Sequence, residues 1–163
     1  MILRAAHSTD VDALLDVQQP AAVEGLGHIF PQDQHPFSRA AVAERWLTEI
    51  ADPEVYVYLC TEEDGSVQGF AAVRSHELLH LGTALPTWGT GLASRLHDAL
   101  LRVTAQTLGT PTTLTLRVFD ENQRARRFYV KHGWTPTGRT SRTTFAPHPL
   151  LLEYERHLAE PSP

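Results

Sequence analysis

A chain of 163 residues fits one domain and can bury a sizeable core without disulfides or a metal. With 42% hydrophobic and 20% charged residues it has the make-up of a soluble globular protein, and a net charge of −5 argues against nucleic-acid or anionic-membrane partners. Cys60, the only cysteine, excludes a disulfide framework and makes a cytoplasmic location the default, while no apolar run has the length of a spanning helix or a signal-peptide core.

The elements are predicted in the order β-α-α-β-β-β-α-β-α-β-β. Ile2 to Ala5 is a short apolar strand. Ser8-Thr9-Asp10 carries a helix N-cap signal, and Val11, Leu14, Leu15 and Val17 recur at helical spacing until Gln19-Pro20, where the helix is predicted to stop. The stretch E-G-L-G-H-I-F-P-Q-D-Q-H-P-F at 24–37 has no period, is long for a connector, and has the character of a binding loop. A second helix runs from Ser38 to Asp52-Pro53.

Three strands follow: Val55 to Cys60, Val67 to Val73 after the turn signal E-D-G at 63–65, and Glu77 to Leu85. Gly69 predicts a bulge or a close backbone approach, and Cys60 reads as a buried small hydrophobe. A tight turn through Pro86 to Gly89 leads into a helix with Leu92, Leu96, Leu100 and Val103 on one face, ending near Gly109. Thr113 to Val118 alternates as a half-buried strand. Asn122 can cap a short helix bearing Ala125, Phe128, Tyr129 and His132, which Gly133 stops. Trp134 to Phe145 and Leu150 to Leu158 read as the last strands, so residues 1–158 form one domain and 159–163 a tail.

The turn W-G-T-G-L-A, where strand becomes helix, carries the first chemical signal. Two glycines let the backbone approach a ligand, and a helix N-terminus offers bare amides and a favourable dipole to an anion such as a phosphate. Packing alone is the other use of glycines at such a turn. No G-K-[ST] follows, and Ser94 stands where the dinucleotide fingerprint has its third glycine, so neither an ATP nor an NAD site is implied. No H-E-x-x-H or clustered Cys/His spacing points to a metal.

Two motifs resemble the GNAT family of N-acetyltransferases. Trp88-Gly89-Thr90-Gly91-Leu92-Ala93 is similar to its acetyl-CoA turn Q/R-x-x-G-x-G/A, with Trp88 in place of Gln or Arg and Pro86 out of its usual place. L-R-V-F-D-E-N-Q-R-A-R-R-F-Y-V-K-H-G-W, from Leu116 to Trp134, matches L-x-V-x-x-x-N-x-x-A-x-x-F-Y-x-x-x-G-[FW] at every fixed position. The resemblance implies an α/β fold with a mixed sheet flanked by helices, whose two central parallel strands, here Glu77–Leu85 and Thr113–Val118, splay apart around acetyl-CoA. The backbone of Leu81, Gly82 and Thr83 would pair with the pantetheine arm. Amides of the turn Trp88, Gly89, Thr90, Gly91, Leu92 and Ala93, with Ser94 beside them, would hold the pyrophosphate. Asn122 would bond the pantetheine near the sulfur, unless it serves only as a helix cap.

The implied reaction moves an acetyl group to a primary amine by direct attack in a ternary complex. A backbone N–H, expected on Thr83, would stabilise the oxyanion. Tyr129 matches the family's general acid, with Phe128 toward the core and Tyr129 toward the cleft. Glu77, eleven residues before Trp88, stands at the spacing of a catalytic glutamate in some family members; a solvated strand end is its other reading, and His80 and Glu24 are further candidates for the base. Arg124, Arg126 and Arg127 offer a contact to the coenzyme's 3′-phosphate or a solvated helix face. His28, Phe30, His35 and Phe37 could shape the acceptor site. A small-molecule or peptide amine is the expected acceptor, with a homodimer as a common state of relatives. A different acyl-CoA, or a non-catalytic CoA-binding sensor, is the alternative.

Overall fold

Side-chain alternation along the central strands sends helices to both faces of one sheet. In a computed structural model describing residues 1–159, the elements are β1 (Ile2–Ala5), α1 (Val11–Leu26), α2 (Arg39–Ala51), β2 (Val55–Thr61), β3 (Val67–Arg74), β4 (Glu77–Thr83), α3 (Leu92–Leu108), β5 (Thr112–Phe119), α4 (Gln123–Lys131), β6 (Thr135–Arg142) and β7 (Leu150–Leu158). The sheet order is β1-β2-β3-β4-β5-β7-β6, with every neighbouring pair antiparallel except β4 and β5. Val57, Leu59, Phe70 and Ala72 pack against Leu14, Leu15 and Trp46 of α1 and α2. Ala71, Val73, Leu78, Leu114, Leu116 and Val118 point the other way, against Leu100, Leu101, Trp134 and Tyr154. The element order matches the expected one. Most of the expected tail, 160–163, lies outside the described residues. No described helix is long and apolar enough to cross a membrane.

Three boundaries differ from expectation, the first two for physical reasons. Helix α1 does not stop at Pro20 but runs through it to Leu26. An interior proline costs about 3 kcal/mol. That is offset where the helix end is clamped: a Cβ on Gly25 would stand 3.2 Å from the Trp88 ring, and Ile29 just beyond is buried. Strand β4 ends at Thr83, two residues before the expected Leu85. The Thr87 N–H and hydroxyl both bond the Ala84 carbonyl, at 2.9 and 2.7 Å, and wind Leu85–Thr87 into a 3₁₀ turn. Pro86, which has no N–H to lose, fits the first turn of such a helix. The strand after Trp134 also stops early, at Arg142.

The centre of the sheet is open. Strands β4 and β5 pair only through Glu77 with Thr115 and Leu78 with Leu116. Immediately beyond, the β3–β4 register jumps from Val73↔Leu78 to Ala72↔His80, leaving Leu79 as an extra residue in β4. Such a bulge bends its strand and ends pairing, which accounts for the divergence of the two parallel strands. A second irregularity lies beside Gly69, whose Cβ would meet the Gly82 carbonyl oxygen at 2.9 Å, so the expected close approach is found there.

The entry to α1 rests on a charge pair. Arg4 donates to both Asp10 oxygens at 2.8 and 2.9 Å, and Asp10 also accepts the His7 N–H at 2.8 Å. The Arg4 bond is the chief reason the Asp10 carboxyl sits at about 2 instead of 3.8. Its contribution is therefore full above pH ~4 and is lost as pH falls toward 2. Discounted for the exposure of Arg4, it is about 1–2 kcal/mol. Asp10→Asn should lower Tm by roughly 2–6 °C at neutral pH, and thermal melts between pH 4 and 2 should show wild type and variant converging.

Candidate active site

The opening between β4 and β5 exposes peptide groups with no strand to meet. The Ala84 N–H donates to the Gln68 carbonyl at 2.8 Å, which sets the phase of the antiparallel ladder. Alternate residues in such a ladder turn their peptide groups in opposite directions. Gly82 and His80 therefore face β3, while Leu81 and Thr83 face the opening. Gly82 does not offer its peptide to a ligand in the opening; it is glycine because a Cβ there would lie 2.4 Å from Phe70. The Thr83 carbonyl accepts from the Trp88 indole N–H at 3.1 Å. The Arg124 guanidinium stacks on that indole 3.2 Å from its centre, so Trp88 and Arg124 bridge the end of β4 to the start of α4.

Beyond β4 the chain makes a turn whose bare amides suit an anion. Gly89 and Gly91 have φ of +81° and +83°, the left-handed region that glycine enters freely. Thr90 is held inside the turn by a hydroxyl bond to the Thr87 carbonyl, 2.6 Å. Helix α3 starts after Gly91 with no side-chain cap and no acidic residue in its first turn. Among the described residues, no acceptor meets the N–H groups of Gly89, Gly91, Leu92 or Ala93. Arg95 curls back over this turn, 3.4 Å from the Thr90 carbonyl. The sequence reading passed over Arg95. A cation in the first turn opposes the helix dipole, and that misfit is the signal in the sequence that sets this helix start apart.

Ser94 is positioned by α4. Its hydroxyl donates to Nε2 of His132 at 3.0 Å, and Nδ1–H of His132 donates to the Phe128 carbonyl at 2.8 Å. Fully buried His97 accepts the Trp134 indole N–H on Nε2, 3.0 Å, and donates from Nδ1 to Asp98, 3.0 Å. Burial lowers the pKa of His97 in spite of Asp98. Every ring nitrogen of His97 and His132 is thus engaged, and the pair fastens α3 to α4 and to Trp134.

On the other wall, the Asn122 side-chain oxygen accepts the Ala125 N–H at 3.2 Å, as a helix cap does, and its amide nitrogen stays free to donate. Tyr129 is half-buried against Phe128 and Trp134. Its hydroxyl has no partner among the described residues yet is not sealed from solvent. Burial pushes that phenol well above its ordinary range. Phe128, also half-buried, stacks on His132 with ring centres 4.1 Å apart. Of the arginine cluster, Arg126 is tied to Asp120 at 2.9 Å and Arg127 is exposed, so only Arg124 leans toward the opening.

The acid–base candidates separate. One oxygen of Glu77 accepts from Arg117 at 2.8 Å, at the closed end of the split. Both oxygens of Glu49 on α2 lie 3.0 Å from Nε2 of His80. Glu24 is exposed on the last turn of α1. In the long loop, His28 reaches the Glu121 carbonyl at 2.9 Å and Phe30 packs edge-on to Phe119, 5.4 Å, beyond the end of β5. Phe37 instead joins the core under α1 and α2. His35 meets Gln32 through its backbone carbonyl, at 3.4 Å. Cys60 is wholly buried, and burial raises its thiol pKa.

A mixed sheet split between parallel strands, with bare amides at the head of the next helix, defines an acyltransferase scaffold. Residues 17–134 match the profile of the Acetyltransferase (GNAT) family, and the chain belongs to that family. Among solved structures it is similar to a spermidine N-acetyltransferase from Vibrio cholerae in complex with CoA and spermine, with 16% identity, 96% of this chain and 94% of that chain covered, and a TM-score of 0.71. It is also similar to the ribosomal-protein-S18-alanine N-acetyltransferase from Escherichia coli, with 16% identity, 99% and 96% covered, and a TM-score of 0.69. A phosphinothricin acetyltransferase from Sinorhizobium meliloti in complex with AcCoA has 16% identity, 97% and 88% covered, and a TM-score of 0.68. At that identity the likeness is one of fold. No curated protein sequence matches the chain.

If Arg95 shares the anion seat, Arg95→Ala should weaken CoA binding roughly 10-fold, the loss of one charge-assisted hydrogen bond. Calorimetry at low and high salt checks this. An unchanged Kd at low salt means the guanidinium does not meet the phosphates.

Proposed function

We propose that this protein transfers an acetyl group from acetyl-CoA to a primary amine by direct attack. The observation that supports this best is the pair of outward-facing peptides, Leu81 and Thr83, beside the uncapped head of α3. An extended amide-bearing arm can pair with the former while a diphosphate sits on the latter. In this reading Gly89 to Ala93 hold the pyrophosphate with Arg95, Ser94 stands beside it, and Asn122 donates its free amide to the pantetheine.

A thioester carbonyl lying in the opening would meet the N–H of Thr83, a preset donor for an oxyanion. The amine nitrogen bonds to the carbonyl carbon, the π pair moves to oxygen, and collapse breaks the C–S bond. The thiolate takes the Tyr129 proton, and the excess proton on the tetrahedral nitrogen replaces it. Burial keeps the Tyr129 phenol protonated at working pH, so it holds its proton until a thiolate forms. Glu77 remains the base suggested by spacing, with one oxygen already occupied by Arg117.

The relatives act on different amines, so the test is a panel of spermine, phosphinothricin and a peptide with an N-terminal alanine, scored by thiol release from acetyl-CoA. Turnover with at least one amine, and none without amine, is expected. A folded protein that binds CoA but acetylates no amine would overturn the reading in favour of a sensor. Tyr129→Phe should lower kcat about 10²-fold, the usual worth of a general acid, with KM for acetyl-CoA nearly unchanged. Unchanged kcat would remove Tyr129 from the chemistry.

A further inference from the structure

The geometry points to His80, oriented by Glu49, as the general base that takes the proton of the acceptor amine. The inference rests on the acyl-transfer reading and concerns the same opening. Four observations carry it. The first is direction. Leu78 packs with the α3-side core and Leu81 does so again, while Leu79 packs under α1 and α2. Strict alternation would return His80 to the α3 side. The extra residue at Leu79 instead places His80 opposite Ala72, on the α1/α2 face, next to Trp46 with ring centres 4.7 Å apart. The second is place. Pairing with β5 ends at Leu78, so His80 lies two residues into the free margin of β4.

The third is orientation. Nε2 stands 3.0 Å from both oxygens of Glu49, whose side chain is only 12% exposed. That carboxylate fixes the proton on Nε2 and leaves the Nδ1 lone pair as the acceptor. Nδ1 has no partner among the described residues and is not sealed from solvent. Base, orienting carboxylate and an open lone pair are the parts a proton acceptor needs. The fourth is charge. Burial would raise the Glu49 pKa, but its bond to His80 and the charges of His80, Arg45 and Arg74 outweigh that and lower it, so the orienting group stays anionic. The charged neighbours are Glu49 and Arg45 on α2, Arg74 of β3 paired with Asp52 at 3.1 Å, and Glu77 of β4 held by Arg117 of β5.

The protons balance. An ammonium acceptor must lose two. One passes to Nδ1, giving an imidazolium whose charge faces Glu49, and leaves to water when the ring resets. The other replaces the proton that Tyr129 gives to the departing thiolate. The products are the N-acetyl amine, CoA thiol and one released proton.

The test is the pH profile of kcat/KM for whichever of spermine, phosphinothricin or the alanine peptide is turned over, with CoA binding measured on each variant to show that it is folded. His80→Ala should lower kcat/KM about 10²- to 10³-fold near neutral pH. The deficit should shrink above pH ~10, where amines shed their proton unaided. Glu49→Gln should cost roughly 10-fold and move the acid limb to lower pH, since the imidazolium loses its counter-charge. Glu49→Asp should restore part of both. A merely structural role for Glu49 would not move the limb. The inference is overturned if His80→Ala keeps both rate and acid limb, or if Glu77→Gln alone erases the limb. A wild type that binds CoA and turns over no amine sinks the acetyltransferase reading and this assignment together. An active wild type indifferent to His80 sinks only the assignment.

Discussion

The structure depends on an unpaired margin in the middle of a sheet. Backbone N–H and C=O groups away from water must find partners, yet the peptides of Leu81 and Thr83 face a gap instead of a strand. The Leu79 bulge makes that gap and the flanking antiparallel pairs keep it open, because β3 holds one side and β7 the other over nearly their whole lengths. Trp88 meets part of the demand by donating to the Thr83 carbonyl. The remaining groups await water or a ligand. A sheet that leaves a central seam unpaired is less stable than a closed one, and in the proposed function binding is the compensating gain.

The bare helix head follows from the same break. Once β4 ends at Thr83, the chain must turn into α3 within a few residues, and the left-handed Gly89 and Gly91 make the turn without a side-chain cap. Leaving the helix head uncapped forgoes about 1 kcal/mol, and it keeps the amides free for an anion. Arg95 in the first turn is consistent with that use and with no other that the packing suggests. The bond from Ser94 to His132 ties this head to the end of α4, so the two walls of the opening are held by one fastening.

Much of this was legible in the sequence. The run from Leu116 to Trp134 and the two glycines of the turn carry local information: strand alternation, an Asn cap, a Gly stop and an uncapped helix start are each written in adjacent residues. What failed to show was non-local. Pro20 reads as a helix end because the clamp of Gly25 against Trp88 spans residues far apart in the chain. The loop aromatics could not be sorted until Phe37 was seen in the core and Phe30 against Phe119. The bulge at Leu79 leaves no compositional mark, so the direction of His80 and its Glu49 partner, 31 residues away in sequence, were invisible.

In the proposed mechanism the split sheet also gives acid and base different environments. Tyr129 packs on the α3/α4 side against Trp134 and Phe128, where burial favours the neutral phenol. His80 belongs to the opposite side, with Nε2 bonded to the Glu49 carboxylate. A thioester held between them would have a proton donor toward its sulfur and a proton acceptor toward the incoming amine. Two groups with opposed tasks cannot share one solvent environment without quenching each other. In the proposed mechanism, the gap between β4 and β5 lies between these two surroundings.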